Sequence, residues 1–245
     1  MDQNVTNFFK INKDIVHNKD MLLAPDDLLN NTETFFKWIR HESKCKSLRL
    51  DLNVDVSDIK EEIENKTFLA IPHRSHPGWR SITLYGYSSI MTNSHEHYKE
   101  NGFDFTDFKL DWTDISKFFP KTVAWLKENN PLKEFVRIRF MILDPGGSSS
   151  PHKDYPFGQF LCGPINLAIT QPKGAEFVLE NGGCVPWKEG DFRTMDLGSV
   201  HCVRNTGLEN RIHMIISPFN DGINDWDIQA KELACQSYLK QFSER

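Results

Sequence analysis

From about residue 135 onward, apolar and polar residues alternate with a period of two, the pattern of β-strands that bury one face. The alternation is clearest in residues 135–143, 165–170 and 211–216. In each segment one face is purely apolar, while the other carries arginine, asparagine or histidine. A chain with several such segments cannot be a helical bundle, because a side-chain period of two does not fit a helix.

Turn sequences separate these strands, including Pro145-Gly146-Gly147 and residues 180–183 and 188–191. Short strands with such turns predict an all-β barrel or sandwich. In a jelly roll, the apolar faces would pack against the N-terminal helices and the mixed faces would line the interior. Arg139, Asn166 and Arg211 would then surround one cavity, where their burial requires a ligand. A slip of one residue in strand register would reverse this assignment.

The remainder of the chain predicts helices that flank this core. Helical spacing of apolar residues indicates helices at about 25–46 and 113–129. A short charged helix at 58–64 and a final helix at 227–242 are also expected. Pro120 lies inside the predicted helix at 113–129 and would kink it or mark a later start. We also expect strands at 67–71 and 81–85, joined by a loop rich in Pro and Gly.

The length of 245 residues favours a single domain, residues 1–245. Within it, residues 1–130 would pack on a jelly-roll core at 131–220, and 221–245 would form a C-terminal helix. The formal charge of −5 argues against a dedicated nucleic-acid binder. The sequence does not indicate an oligomeric state.

Five cysteines without paired spacing predict reduced thiols in a cytoplasmic protein. The N-terminus lacks a basic start and an apolar run, so no signal peptide is expected. No apolar run approaches the roughly 18 residues needed to cross a bilayer, so no membrane partner is expected either.

The candidate chemistry lies in His152, Asp154, His201 and Arg211. His152 and Asp154 are two residues apart, so on extended backbone both side chains leave the same face. Two imidazoles and one carboxylate form the facial set that holds non-haem Fe(II) and leaves positions open for a cosubstrate and O2. Arg211 suits a bidentate grip on a carboxylate. The four residues predict an Fe(II)/2-oxoglutarate oxygenase. The alternative for His152 and Asp154 is that they are two loop residues whose side chains hydrogen-bond to their neighbours.

Arg139 lies on the strand before the metal motif and is a candidate to bind a substrate or cosubstrate carboxylate, or else to form a surface salt bridge. For Arg137, two residues earlier, the surface role is favoured. His213 would share the face of Arg211 and either line the pocket, with a substrate-binding role, or be a satisfied core histidine.

The Pro/Gly loop and the strand after it carry His73, His76, Trp79 and Arg80. Binding residues are common on loops, which makes Trp79 and Arg80 candidate substrate contacts. A second metal site at His73 and His76 is disfavoured, because no third ligand is close in sequence. His95 and His97 lie in a polar stretch and are interpreted as solvated.

The stretch from Val136 to Ser217 resembles the aspartyl/asparaginyl β-hydroxylase family of 2-oxoglutarate oxygenases. Residues 78–84 also resemble an upstream segment of bacterial hydroxylases in this group. The order of the matching segments is what makes the resemblance specific. These segments are Arg139 to Gly147 before Pro151-His152, Asn166 to Ile169, Pro186 to Gly190, His201 to Asn205, and Arg211.

The resemblance implies a double-stranded β-helix with Fe(II), 2-oxoglutarate and O2. By motif match, His152, Asp154 and His201 would bind iron, and Arg211 would bind the far carboxylate of 2-oxoglutarate. Vertebrate members have a glycine at the position of Asp154, so the full ligand set resembles bacterial members and free amino-acid hydroxylases. A histidine that helps to hold the cosubstrate in some members is Asn166 here, whose amide can still donate to a carboxylate.

These observations predict a hydroxylase acting on an amino acid, a peptidyl residue or a related small carboxylate, with release of succinate and CO2. Desaturation or cyclisation by the same first steps is an alternative outcome. A cupin-like module that binds a metal or ligand without turnover, and a cupin isomerase that does not need 2-oxoglutarate, are alternatives of other classes.

Overall fold

The computed structural model of the chain describes residues 2–73, 76–90, 109–154, 161–218 and 226–242. His95 and His97 lie outside these ranges. Within them, short 3-10 turns cover Asp26–Leu28, Thr67–Leu69 and Asp114–Phe118. The α-helices are α1 (Gln3–Asn12), α2 (Thr32–His41), α3 (Ser57–Glu64), α4 (Pro120–Asn129) and α5 (Ile228–Phe242).

The strands of the described ranges are short and numerous, as the alternating pattern predicts. They are β1 (Ser47–Leu50), β2 (Ile71–Pro72), β3 (Trp79–Gly86), β4 (Asp111–Trp112), β5 (Phe135–Leu143), β6 (Ile165–Thr170), β7 (Ala175–Leu179), β8 (Gly183–Cys184), β9 (Phe192–Met195), β10 (His201–Asn205) and β11 (Arg211–Pro218).

These strands pair in two antiparallel sheets. The large sheet has the order β1-β9-β6-β11-β5-β3-β2, with β4 beside β3, and the small sheet has the order β10-β7-β8. The register of the large sheet fixes which of its side chains share a face. Arg139 of β5 pairs with Ile215 of β11, which pairs with Asn166 of β6. Arg139 and Asn166 therefore point to the same side of the sheet.

The inner faces of the two sheets meet in one apolar cluster. It combines Met141 and Leu143 of the large sheet with Phe177, Leu179 and Val203 of the small sheet. Two facing antiparallel sheets of this kind, with helices outside, form the predicted all-β double-stranded β-helix.

Helices cover the outer face of the large sheet. Ile138, Phe140 and Ile142 of β5 are fully buried there, in the main cluster that also contains residues of α2, α3, α4 and α5. The expected packing of apolar strand faces against the N-terminal helices is confirmed, and the C-terminal helix joins the same layer. None of the described helices combines the length and the apolar character needed to span a bilayer.

Helix α1 covers the outer face of the small sheet and was missing from the sequence prediction. Val5 and Phe9 pack against Val178 and Cys202 in a separate small cluster. Val5 and Phe9 lie four residues apart, so the helical spacing is present in the sequence, although it extends over little more than one turn. Asp2 caps its first turn by accepting a hydrogen bond from the Asn4 backbone amide at 2.8 Å.

Three predicted elements differ from the structure in their bounds. The helix predicted at 25–46 is a 3-10 turn followed by α2, whose start is capped by the side chain of Asn31. The strand predicted at 67–71 is mostly the 3-10 turn Thr67–Leu69, and only Ile71–Pro72 pairs with β3. Pro120 begins α4 at a first-turn position, where its missing N–H costs no hydrogen bond.

Candidate active site

His152 and His201 are brought together by backbone pairing. The His152 amide donates to the His201 carbonyl at 3.0 Å, and the His201 amide donates to the His152 carbonyl at 2.8 Å. The Asp154 amide donates to the Leu197 carbonyl at 3.1 Å, which holds the next turn of this segment against the chain before β10. Because these contacts are between backbone groups, the three side chains converge from a rigid frame.

The side chains of His152, Asp154 and His201 offer one ligand atom each, and these three atoms lie within 4.8 Å of one another. Nε2 of His152 lies 3.4 Å from Oδ1 of Asp154, and Nε2 of His201 lies 3.9 Å from Oδ2. Within the described ranges this is the one group of three or more potential metal ligands that converges. Its donor set, two imidazoles and one carboxylate, fits ferrous iron with open positions.

Both imidazoles are held in the tautomer that a metal needs. Nδ1 of His152 lies 2.7 Å from the Ser150 carbonyl, and Nδ1 of His201 lies 3.1 Å from the Ser199 carbonyl. A carbonyl can only accept, so each Nδ1 carries a proton, and each Nε2 presents its lone pair when the ring is neutral. The ring of Phe177 stacks on His201 at 5.4 Å and 8°, which further fixes that ring.

The surroundings shift the pKa of all three side chains. Burial lowers the pKa of His201 and keeps its ring neutral. Burial disfavours the charged form of Asp154 too, but the His152 hydrogen bond and the positive groups nearby outweigh it and lower the carboxyl pKa. For His152, burial is outweighed by the Asp154 and Ser150 hydrogen bonds, which raise its pKa. Metal binding displaces a proton from His152 when it is charged.

A cavity of about 540 Å³ opens beside the three ligands. Arg139, Asn166 and Arg211 all line it, as the strand alternation predicted. Asn166 and Arg211 are 5% and 2% exposed, so the large sheet buries strongly polar groups on its inner face. Such burial is costly unless a ligand or another group satisfies them.

Arg211 carries a charge with no acidic partner among the described residues. Its Nη2 contacts Nδ1 of His213 at 3.0 Å, while its buried Nε has no hydrogen-bond partner there. Burial alone lowers the pKa of Arg211 to about 9, still above neutral pH. A buried guanidinium with unused donors beside a metal centre fits a carboxylate of 2-oxoglutarate.

Arg137 also lines the cavity, with a buried Nε, which corrects the expectation of a surface position. It shares the inner face with Arg139 two residues later, so the strand alternation already contained the signal. His73 and His76 lie at the cavity too, with their rings stacked at 4.9 Å, and His76 is 5.3 Å from the ring of His152.

Of the three residues predicted to contact substrate, Trp79, Arg80 and His213, one lines the cavity and two do not. Trp79 lines the cavity. Arg80 is not among the lining residues: it binds the Asp144 carboxylate at 2.5 Å and the Thr67 carbonyl at 2.6 Å. His213 is fully buried behind Arg211 and does not line the cavity, which agrees with the core-histidine interpretation and not with substrate contact.

The apolar wall of the cavity was not predicted from the sequence. Met141, Met195 and Leu197 contribute to it, together with Phe177 and Val203 of the small sheet. Met141 shares a face with Arg139, so the alternation could have placed it. The others depend on how the two sheets face each other, for which the sequence carries no local signal.

The solved structures to which the chain is similar include a 2OG-Fe(II) oxygenase-family protein and two prolyl hydroxylases. A viral collagen prolyl hydroxylase from Paramecium bursaria Chlorella virus-1 is 12% identical, with 70% of this chain and 94% of that chain covered and a TM-score of 0.40. A 2OG-Fe(II) oxygenase-family oxidoreductase from Burkholderia pseudomallei is 11% identical, with 85% and 97% covered and a TM-score of 0.41. A Pseudomonas putida prolyl-4-hydroxylase is 13% identical, with 79% and 100% covered and a TM-score of 0.41.

No curated protein matches the chain. The family model described as aspartyl/asparaginyl beta-hydroxylase matches residues 42–220, well over half of the chain. The matched range contains all three candidate iron ligands and Arg211. The chain belongs to the aspartyl/asparaginyl β-hydroxylase family.

Proposed function

We propose that this Fe(II)/2-oxoglutarate-dependent dioxygenase hydroxylates an amino acid, a peptidyl residue or a related small carboxylate, with release of succinate and CO2. The observation that carries the proposal is the convergence of His152, Asp154 and His201 at a cavity that also contains the buried Arg211. This combination would supply a metal site and a carboxylate site within one cavity.

His152, Asp154 and His201 would hold the iron, and Arg211 would bind the far carboxylate of 2-oxoglutarate. When bound, the iron and 2-oxoglutarate supply the activation of O2. The buried amide of Asn166, which lines the cavity, would donate to a carboxylate oxygen of the cosubstrate. Arg139 would grip a carboxylate of the substrate or the cosubstrate.

The cavity favours a small, acidic substrate or a residue presented on a peptide. Its volume of about 540 Å³ lies in the range of small-molecule sites. Arg137 and Arg139 line one wall, and Trp79 offers an apolar surface with an indole N–H. Met141 and Phe177 belong to the apolar part of the wall, which would exclude water from the reacting atoms.

The test is turnover by the purified full chain with Fe(II), ascorbate and 2-oxoglutarate. Without a primary substrate, we expect slow succinate formation. When a panel of amino acids and short peptides is added one by one, the member that is the substrate should make succinate formation faster. Mass spectrometry should find a product heavier by one oxygen atom. Arg211→Ala should lose succinate formation because the cosubstrate is no longer held.

The alternatives give different results in the same assay. Desaturation or cyclisation would yield a product lighter by two hydrogens, with succinate still formed. A binding module would give no succinate with any member of the panel. A cupin isomerase would convert substrate without 2-oxoglutarate, and Arg211→Ala would leave that activity intact.

A further inference from the structure

The guanidinium of Arg211 is oriented by a neutral group instead of an acid. Arg211 is 2% exposed, and its hydrogen bond within the described part of the chain joins Nη2 to Nδ1 of His213 at 3.0 Å. An aspartate or glutamate in the place of His213 would cancel the charge of Arg211. A neutral imidazole acceptor orients the guanidinium and leaves its charge for a ligand.

The tautomer of His213 follows from its other neighbour. Nε2 of His213 lies 2.9 Å from Oε1 of Gln171, and Nε2 of Gln171 donates to the Ala175 carbonyl at 2.7 Å. Because that carbonyl can only accept, the Gln171 amide nitrogen must face it and the amide oxygen must face His213. Nε2 of His213 therefore carries the proton, and Nδ1 is free to accept from Arg211.

The surroundings of His213 keep the ring in this position. The residue is fully buried, and Trp187 packs edge-on against it at 4.6 Å and 74°. On the inner face of the large sheet its cross-strand neighbours are Met141 and Ala168, which are both apolar. Burial and the charge of Arg211 hold the pKa of His213 well below its usual range, so the ring is neutral.

We propose that His213, held by Gln171, is a positioning residue that fixes the Arg211 guanidinium for the far carboxylate of 2-oxoglutarate. This proposal rests on the proposed function. It adds a hydrogen-bond network of three side chains, Gln171, His213 and Arg211, which is anchored on the Ala175 carbonyl. His213 acts through Arg211 and is not itself in contact with the cavity.

The test is binding of N-oxalylglycine, a 2-oxoglutarate mimic, to the Mn(II)-loaded full chain, measured by calorimetry. His213→Phe keeps the ring that packs on Trp187 but removes the acceptor. A hydrogen bond to a charged group is lost, so Kd should rise by about tenfold or more. His213→Asn places an amide oxygen near the position of Nδ1 and should keep Kd within about threefold of wild type.

Gln171→Leu provides a milder change, at the residue of the hydrogen-bond network that is farthest from Arg211. Without the amide oxygen, the His213 proton is no longer confined to Nε2, and Kd should rise by less than in His213→Phe. The Mn(II) affinity of all three variants should match wild type, because none of them touches His152, Asp154 or His201. Nitrogen-15 NMR of labelled histidine should show the neutral Nε2–H tautomer of His213 in wild type.

Several results would overturn the proposal. These are an unchanged Kd in His213→Phe, an Nδ1–H tautomer in wild type, or equal weakening in His213→Asn and His213→Phe together with lost Mn(II) affinity. The last would assign His213 a structural role only. Failure of the proposed function gives a separate result, because wild type itself would then not bind N-oxalylglycine.

Discussion

Individual histidines in this site differ in which ring nitrogen carries the proton, and the neighbours of each ring decide it. His152 and His201 donate from Nδ1 to backbone carbonyls, so Nε2 is available to a metal. His213 carries its proton on Nε2 because Gln171 accepts there. One residue type is therefore proposed to serve as metal ligand in two places and as a neutral hydrogen-bond acceptor in a third.

Replacing Asp154 by asparagine should weaken Mn(II) or Fe(II) binding by at least about tenfold, the scale on which even outer partners change metal affinity. The amide keeps the shape of the side chain but removes the negative charge that the divalent cation requires. The measurement is a metal titration followed by electron paramagnetic resonance or calorimetry.

Asp144→Asn is the matched control for that substitution. Asp144 binds Arg80, is also partly exposed, and is not among the converging ligands. Its variant should bind metal as wild type does. Equal weakening in both variants, or none in Asp154→Asn, would contradict the assignment of Asp154 as a ligand.

The pH dependence of stability should carry a contribution from His213. Its folded-state pKa lies below the ordinary value of 6.5, so between those two values the unfolded chain binds more protons than the folded chain. The free energy of unfolding is therefore full above pH 6.5 and falls as the pH decreases below it. His213→Phe should show a shallower fall in denaturant titrations between pH 7 and 5.

The fall in His213→Phe should be reduced but not abolished, because burial also lowers the pKa of His73, His76 and His201. A slope identical to that of wild type would mean that His213 does not become charged on unfolding in this range. That result would contradict the neutral, buried state assigned to it.

At the level of elements, the strands of the core were predictable and several boundary elements were not. β5, β6 and β11 each bury a continuous apolar face, and that period of two is visible in the sequence. The segment at 67–71 has strand-like composition, yet its first three residues form a 3-10 turn. Its pairing partner is the start of β3, so only the tertiary arrangement limits it to two residues.

Two glycines should tolerate substitution very differently: Gly146 in the turn that follows β5, and Gly78, which precedes β3 and contacts that turn. Gly78 has φ of +76°, and a Cβ added there would lie 2.7 Å from the Gly147 Cα. Gly146 has φ of +79°, but a Cβ there would meet nothing within 4 Å. A side chain at either position would have to adopt an unfavourable positive φ. Only at Gly78 would it also collide with a neighbouring residue.

We therefore expect Gly146→Ala to lower the free energy of unfolding by about 1–2 kcal/mol, the cost of a left-handed backbone for an L-residue. Gly78→Ala should cost about 1–3 kcal/mol more, because it also overpacks the contact with Gly147. Denaturant unfolding of the two variants measures this difference. Equal costs would show that the close approach of the two loops is not maintained in solution.

Across the whole molecule, the site lies between two sheets whose outer faces are both covered by helices. The sequence predicted the metal ligands and the three polar cavity residues, because motif spacing and strand alternation are local patterns. It missed the wall contributed by Phe177 and Val203, and it missed α1. The wall depends on which sheet faces which, a property of long-range pairing that no local pattern encodes. Helix α1 did carry a local signal, the Asp2 cap and the i, i+4 pair Val5 and Phe9.

The proposal that residues 1–245 form one domain predicts a single cooperative unfolding transition. Far-UV circular dichroism and tryptophan fluorescence should give the same midpoint, since Trp38 and Trp226 lie in the helical layer and Trp79 and Trp187 lie between the sheets. Mn(II) with N-oxalylglycine should raise that midpoint as one transition, because both bind only the folded chain. Separate midpoints for the two probes would contradict a single domain.

The most direct test of the whole account is a crystal structure of the chain with Mn(II) and N-oxalylglycine. Anomalous scattering should locate one metal ion bonded to Nε2 of His152, Nε2 of His201 and a carboxylate oxygen of Asp154. The far carboxylate of the mimic should lie against the Arg211 guanidinium. A metal ion bound elsewhere, or a mimic whose far carboxylate does not contact Arg211, would contradict it.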